Sequence, residues 1–394
     1  MPNLVDLLIA VLLIAALAVG LSVGFFAAIG TLVGLVAAAL AAPWVLPWVA
    51  RMLPDSDWHG MLVIGSAILL LLVGSALGGA IGGLLRRGAD KLRLRVVERI
   101  LGGLTTLVAG ALAITMTGSA VASAGIPNIS SAVASSVVLR TIDEHTPAPL
   151  ADAAARLHAL VLGESVLPVI EGLLDPADLD NAPDPGGIDV ASPALRAASG
   201  SVARISGAAP QCSTIATGSG FVIAEDRLLT NAHVVAGVTN PVVELPGEPA
   251  RDGRVVYFDP VDDIAIVAAD VDAAPLPFAA DLGAGDGGAV LGYPFGGPLR
   301  TLPAGVVNAM TAPIDDIHGQ SATDRSIYVL QSDVNPGNSG GPLLTTDGGV
   351  AGMVFAKDSV REDVGYAMTN AELRPVIDQL GGETTAVSTG SCIG

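Results

Sequence analysis

Three residues in this chain have the types and the order that acyl-transfer chemistry needs. Ser339 lies in Gly337-Asn338-Ser339-Gly340-Gly341, where glycines on both sides let the backbone turn sharply and leave room for another chain at the hydroxyl. A serine hydroxyl is inert unless a base takes its proton and N–H donors receive the negative charge that then forms. His233, at the end of the apolar run in Thr230-Asn231-Ala232-His233-Val234-Val235, is a candidate for that base. A carboxylate to orient the imidazole stands about 30 residues later, as Asp263 or its neighbour Asp262, ahead of the strand-like Ile264-Ala265-Ile266-Val267. A lone histidine is usually structural, an Asp before a strand is usually a cap, and a Gly/Asn/Ser run is usually a turn. Three such motifs in the order His, Asp, Ser are rarely an accident.

These motifs resemble those of trypsin/chymotrypsin-fold serine proteases. Thr-Asn-Ala-His-Val-Val, Asp-Ile-Ala-Ile-Val and Gly-Asn-Ser-Gly-Gly look most like the bacterial high-temperature-requirement branch. The resemblance favours Asp263 over Asp262, because in that branch the carboxylate directly precedes the Ile-Ala pair. It implies that the N–H groups of Gly337 and Ser339 form the oxyanion hole, and that no cofactor is required. It places Asp333, six residues before Ser339, where trypsin-like enzymes keep the acid that binds Arg or Lys. Closing a turn is the commoner role for such an Asp, and Lys357 could neutralise it. Phe355 ends the strand expected to line the pocket, residues 350–355, and Lys357 lies just after it. Gly292-Tyr293-Pro294-Phe295-Gly296 looks like a loop this branch keeps near its active site. The 55 residues that follow Ser339 leave no room for the peptide-binding PDZ domain of that branch.

Elements able to carry this site begin near residue 192. Ten short strand-like runs, from residues 201–205 to residues 364–368, suggest an all-β barrel architecture. The resemblance then implies two six-stranded barrels with the site between them, His233 and Asp263 from the first and Ser339 from the second.

The rest of the chain is of another kind. At 394 residues, 51% hydrophobic and 14% charged, it is too long for one ordinary domain and too apolar for a wholly soluble one. Residues 7–50 contain no charged side chain, where roughly 20 residues suffice to cross a bilayer. Spans are expected at residues 7–26, 30–49, 61–85 and 100–121, forming an all-α four-helix transmembrane domain. Gly74, Gly78 and Gly82 recur at four-residue spacing, as expected where helices pack closely in lipid. Arg86, Arg87, Lys91, Arg93, Arg95 and Arg99 crowd the loop between spans three and four, which should therefore stay in the cytoplasm, leaving everything after span four outside. Few ionisable residues lie within the spans, which weakens a transport role. An intact His, Asp and Ser set weakens a purely scaffolding one.

The expected division is a membrane domain at 1–124, a linker at 125–190 with short helices near 151–161 and 167–174, and a protease domain at 191–394. The linker is expected to be a plain spacer, extended and semi-flexible around Asn181-Ala182-Pro183-Asp184-Pro185-Gly186-Gly187. A net charge of −19 argues against a nucleic-acid partner, and no cysteine or histidine cluster suggests a metal. Cys212 and Cys392 are the only cysteines, both in the part placed outside the membrane, where a disulfide persists. The four-span unit is similar to the colicin V production family. The whole layout resembles the actinobacterial membrane-anchored serine proteases associated with acid resistance in mycobacteria. That likeness implies periplasmic processing of cell-envelope proteins, cell-wall hydrolases among them, during acid or oxidative stress, with the lipid bilayer as the other partner.

Overall fold

The computed structural model describes residues 3–50, 52, 59–91, 95–162, 167–170, 173, 187–212, 214–379 and 385–393. The chain divides into two compact units, Pro2–Thr115 and Met116–Gly394.

The first unit is helical. It comprises α1 (Leu4–Val23), α2 (Phe25–Ala50), α3 (His59–Lys91) and most of α4 (Arg95–Ala122). A capping box starts α1: the Asn3 side chain accepts from the Asp6 N–H and Asp6 reaches back to the Asn3 N–H. The break between the first two helices falls at Gly24, a few residues before the expected turn. Gly24 takes φ +86°, which a side chain would resist. Among the described residues, Leu4–Val23, Phe25–Ala42 and Val96–Ala122 are long and apolar enough to cross a membrane. The apolar stretch Leu69–Leu85 of α3, within the third expected span, is shorter. Many of their large apolar side chains point outward, as lipid-facing residues do. The glycine stripe brings α2 and α3 together: a Cβ on Gly78 would lie 2.0 Å from the Gly30 carbonyl, and one on Gly34 2.1 Å from that of Gly74.

The second unit starts with α5 (Ile129–Ala134), α6 (Val137–His145), α7 (Ala148–Leu162) and the two-residue β1 (Val169–Ile170), followed by α8 (Pro193–Ser199). This is not a plain spacer. Asn128 N–H donates to Asp252, Arg140 to the Glu248 carbonyl, and Asp152 pairs with Arg300, so the segment docks on the protease strands. Nor do residues 167–170 begin a helix. Leu167 enters the interior of the second barrel, and Val169 and Ile170 pair as a parallel edge strand with Lys357 and Asp358. Residues 181–186, where the flexible stretch is expected, lie outside the described residues.

The first barrel pairs its strands in the order β6 (Arg251–Asp252), β5 (Val242–Glu244), β2 (Val202–Ala209), β3 (Thr214–Ala224), β4 (Arg227–Thr230), β8 (Ile264–Ala268), β7 (Arg254–Asp259). β6 and β7 are one extended stretch interrupted at Gly253. The two ends of the sheet are therefore the same piece of chain, and six segments close a ring. The second barrel runs β13 (Val350–Asp358), β12 (Pro342–Thr345), β9 (Gly287–Gly292), β10 (Arg300–Asp315), β11 (Ala322–Gln331), β14 (Val364–Thr369), and β14 pairs back onto β13. β1 adds to the one stretch of β13 edge that this ring leaves open. Two short helices, α9 (Ala232–Val235) and α10 (Asn370–Asp378), follow β4 and β14.

Each barrel has its own apolar interior, around Val222, Leu228 and Val267 in the first and Val290, Leu330 and Leu343 in the second. A third cluster, with Phe221 and Ile266 from one barrel and Leu291 and Phe355 from the other, fills the seam. A fully buried side chain of this size stabilises by about 1.5–3 kcal/mol. The seam therefore fixes how the barrels meet, and the site lies along it.

Candidate active site

His233 sits in α9, the single helical turn after β4, and is 2% exposed. Asp263 stands at the turn into β8, also buried, with φ +56°. A non-glycine residue in that region needs support from its surroundings. Support comes from Asn231, whose Nδ2 donates to the Asp263 carbonyl at 2.9 Å. It also comes from the second barrel, where the buried Arg325 donates to the Val261 carbonyl and Ile317 N–H bonds the Pro260 carbonyl.

Both carboxylate oxygens of Asp263 are used on His233. Oδ1 accepts from the backbone N–H at 2.9 Å, and Oδ2 lies 2.8 Å from Nδ1. A carboxylate only accepts, so Nδ1 carries a proton and the lone pair of the neutral ring is left at Nε2. Asp262 is not among the partners of His233; its N–H bonds Asp259. Among the described residues the buried Nε2 has no hydrogen-bond partner, and the same is true of Ser339 Oγ.

Ser339 follows a loop that glycine alone permits. Gly337 has φ +95°, and a Cβ there would come within 2.2 Å of the Tyr293 carbonyl. The loop is held chiefly by Ser219 of β3, a residue on the first barrel. Ser219 donates its N–H to the Ser339 carbonyl at 2.8 Å and its hydroxyl to the Gly337 carbonyl at 2.6 Å. Its Oγ accepts from Tyr293 N–H, and its carbonyl accepts from Thr230. Gly218 beside it has room for nothing more, with Val234 on one side and the Ser339 carbonyl on the other. The strand thus brings the histidine turn and the serine loop against one another. Among the described residues neither Gly337 N–H nor Ser339 N–H donates to any group.

The loop at residues 292–297 backs this arrangement. Phe295 N–H donates to the Pro336 carbonyl at 2.5 Å. The Tyr293 hydroxyl bonds the Val202 carbonyl, and burial raises its pKa well above the ordinary range, against the pull of Arg204. Arg204 donates to the Gly296 carbonyl at 2.7 Å and pairs with Glu244 through two bonds of 3.0 and 2.8 Å. Burial disfavours its charge, but the Glu244 carboxylate outweighs that and raises the pKa of the guanidinium further.

The expected pocket residues are less concentrated. Asp333 is exposed and accepts from Asn335 Nδ2 at 3.1 Å, so it closes a turn. Phe355 is buried in the seam cluster, which leaves its backbone and not its ring for a ligand. The Lys357 N–H donates to the Pro168 carbonyl at 3.0 Å. Gly340 N–H bonds the Val354 carbonyl at 2.9 Å, so this same edge of β13 leads directly away from Ser339. Cys212 and Cys392 form a disulfide with Cα atoms 5.5 Å apart. Thr389 and Val387 add bonds that lay the tail on the first barrel.

Two six-segment barrels meeting along a buried seam, with a carboxylate-oriented histidine on the first and a buried serine in a glycine loop on the second, define a serine protease of chymotrypsin-like fold. Comparison with known proteins agrees. Residues 218–353 match the trypsin-like peptidase domain and residues 5–147 the colicin V production protein family. Serine protease Rv3671c of Mycobacterium tuberculosis is 34% identical over 313 residues, 78% of each chain. The serine protease Do-like HtrA of Bacillus subtilis is 32% identical over 178 residues, 42% of this chain and 39% of that one. The crystal structure of the M. tuberculosis Rv3671c protease in its active form superposes with a TM-score of 0.50 at 34% identity, covering 58% of this chain and 96% of that one. The chain belongs to the family of the mycobacterial membrane serine protease: a trypsin-like peptidase domain behind a colicin V production-like membrane domain.

Proposed function

We propose that His233, Asp263 and Ser339 act as a catalytic triad that hydrolyses peptide bonds in proteins outside the cytoplasmic membrane. Ser339 Oγ attacks the scissile carbonyl while His233 Nε2 takes its proton, and the imidazolium then passes that proton to the leaving amine. Asp263 keeps Nδ1 protonated and stabilises the imidazolium. The Gly337 and Ser339 N–H groups receive the oxyanion, a donor of this kind contributing about 3–4 kcal/mol. Water admitted after the amine leaves is activated by the same Nε2 and releases the acyl group. The observation that carries this reading is the two-point hold of Asp263 on His233, with Nε2 and Ser339 Oγ both buried and unbonded. A fluorophosphonate should label the wild-type protein at Ser339, and Ser339→Ala should lose both the label and about 10⁶-fold in turnover while remaining folded. An alanine variant that still cleaved casein at the wild-type rate would refute it.

Residues 1–124 are assigned to the membrane domain, 125–190 to the connecting segment and 191–394 to the protease. Four spans with both ends outside follow from the basic residues between Arg86 and Arg99, and the disulfide supports an oxidising compartment for the protease. A periplasm-specific reporter fused after Val190 should be active; silence in a well-expressed fusion would refute this topology. Substrates in the cell envelope, cell-wall hydrolases among them, and a role in acid or oxidative stress rest on the family likeness. Loss of one envelope-protein fragment from a Ser339→Ala strain held at acid pH would support them, and an unchanged envelope proteome would not.

A further inference from the structure

We propose that Arg156, on the helix that precedes the protease, is a positioning residue for the oxyanion hole, acting through Phe295 on the peptide between Pro336 and Gly337. The inference rests on the reading of Gly337 N–H as an oxyanion donor.

A trans peptide unit is planar, so its C=O and N–H point in opposite directions. Holding the Pro336 carbonyl therefore aims the Gly337 N–H. The group that holds it is Phe295 N–H, at 2.5 Å. Were this peptide to turn over, that bond would be lost and a carbonyl would stand where the donor is needed. Phe295 thus selects one of two orientations of the peptide.

Phe295 does not hold this position by its own preference. Its backbone is left-handed, with φ +56° and ψ +26°, between Pro294 and Gly296. A phenylalanine there is disfavoured unless its neighbours fix it. One side of the loop is fixed from the first barrel, by Arg204 on the Gly296 carbonyl. The other side is fixed from α7. The Arg156 guanidinium stands 5.0 Å from the Phe295 ring centroid, a cation–π contact. Ala155 Cβ abuts Gly297, and Asp152 pairs with Arg300 at 2.5 Å where the chain leaves the loop. Of these three, only Arg156 touches the residue whose N–H does the aiming. A segment outside both barrels is in this way connected to the geometry of the oxyanion site.

The test uses the full-length protein in detergent, with Arg156→Ala, Arg156→Lys, Phe295→Leu and the Arg156→Ala/Phe295→Leu pair. Losing a whole oxyanion donor costs about 10²–10³ in kcat, so weakening its support should cost about tenfold. Arg156→Ala should lower kcat by that factor with KM within about twofold, since a transition-state interaction is weakened. Affinity for a peptide aldehyde should fall in step with kcat/KM. Arg156→Lys, which keeps the cation, should recover most of the rate. Phe295→Leu should match Arg156→Ala, and the pair should lose little more than either alone. An unchanged kcat in Arg156→Ala, a raised KM with kcat kept, or additive losses in the pair would overturn the proposal. If Arg156→Ala does not fold, Phe295→Leu decides by the same kcat and aldehyde measurements. Absence of fluorophosphonate labelling in the wild type would instead refute the catalytic reading itself.

Discussion

In the first barrel the histidine and its carboxylate are already joined: both Asp263 oxygens bond His233 and the ring cannot turn without breaking one of them. In the second barrel Ser339, the proposed nucleophile, has no such partner among the described residues. Ser339 Oγ and Asn338 Nδ2 are buried without bonds, and the two loop N–H groups point to nothing among the described residues. On the proposed catalytic roles, the difference follows from what each half must do. The base has to be in one tautomer before substrate arrives, whereas donors for a charge that exists only during reaction must be kept free until then. Each half is also braced from the opposite barrel. Arg325 of the second holds the turn before Asp263, and Ser219 of the first holds the loop of Ser339. Free donors in a loop cannot stabilise that loop, so its shape depends on its neighbours.

Four measurements would break or sharpen this contrast. The largest effect is expected from Asp263→Asn, which keeps the packing but offers Nδ1 a group that can also donate. We expect kcat to fall about 10⁴-fold with little change in KM; a loss below tenfold would mean that the first half is not the prearranged one. Next is Cys392→Ser. The bridge joins residues 180 apart and lays the tail on the first barrel, and opening so long a loop should cost about 5 kcal/mol in the chain-entropy view. Urea unfolding without reductant would show it as a lower midpoint, and an unchanged midpoint would contradict it.

A smaller effect concerns the open edge of β13. A peptide seated at Ser339 would extend along this edge, where the bonds from Lys357 to Pro168 and from Ser359 to Ile170 now lie. Ile170→Asp should loosen them and raise kcat/KM for a four-residue peptide about fivefold, with a one-residue ester unaffected. Equal gains on both substrates would show that the edge does not compete. The smallest effect is on pH. Burial raises the Asp143 carboxyl above its ordinary value; Arg204 opposes this, while Glu244 and Glu144 add to it. The folded protein then binds that proton more tightly than the unfolded chain. Its contribution to stability is complete below the ordinary carboxyl range and is lost as pH rises from there through the raised folded value. Asp143→Asn should flatten that stretch of the stability–pH curve, and an unchanged slope in denaturation between those values would contradict it.

Much of this was legible because some requirements are local. Gly337 and Gly340 need positive φ, so the serine loop announces itself in sequence. Short strand-like runs separated by turns mark all ten expected strands, each of which overlaps a strand of the structure. The strands of residues 242–244 and 342–345 are not among the ten. Ser219 passed unnoticed although it makes four bonds at the seam. Its only sign is Gly218-Ser219-Gly220, and a small residue between glycines in a strand has no single meaning. The loop of Tyr293 and Phe295 is marked by its resemblance, but its tie to Arg204 is not legible, because the partners in that group are 40 to 92 residues apart in the chain.

The sequence by itself determined the apolar helices of the first unit, the succession of strands and the candidate serine, histidine and carboxylates. Hydrophobic length, strand period and glycine conformation act over a few residues and can be read there. Tertiary structure shows the bonding of the Asp263 that the resemblance favours: its carboxylate, at a residue with φ +56°, bonds His233, and Asp262 does not. It also put the ring of Phe355 in the seam, laid residues 168–170 on the edge of β13, and brought α7 against Phe295. Each of those outcomes depends on which surfaces meet when two barrels close. That is fixed by packing across the whole seam, and no window of neighbouring residues contains it.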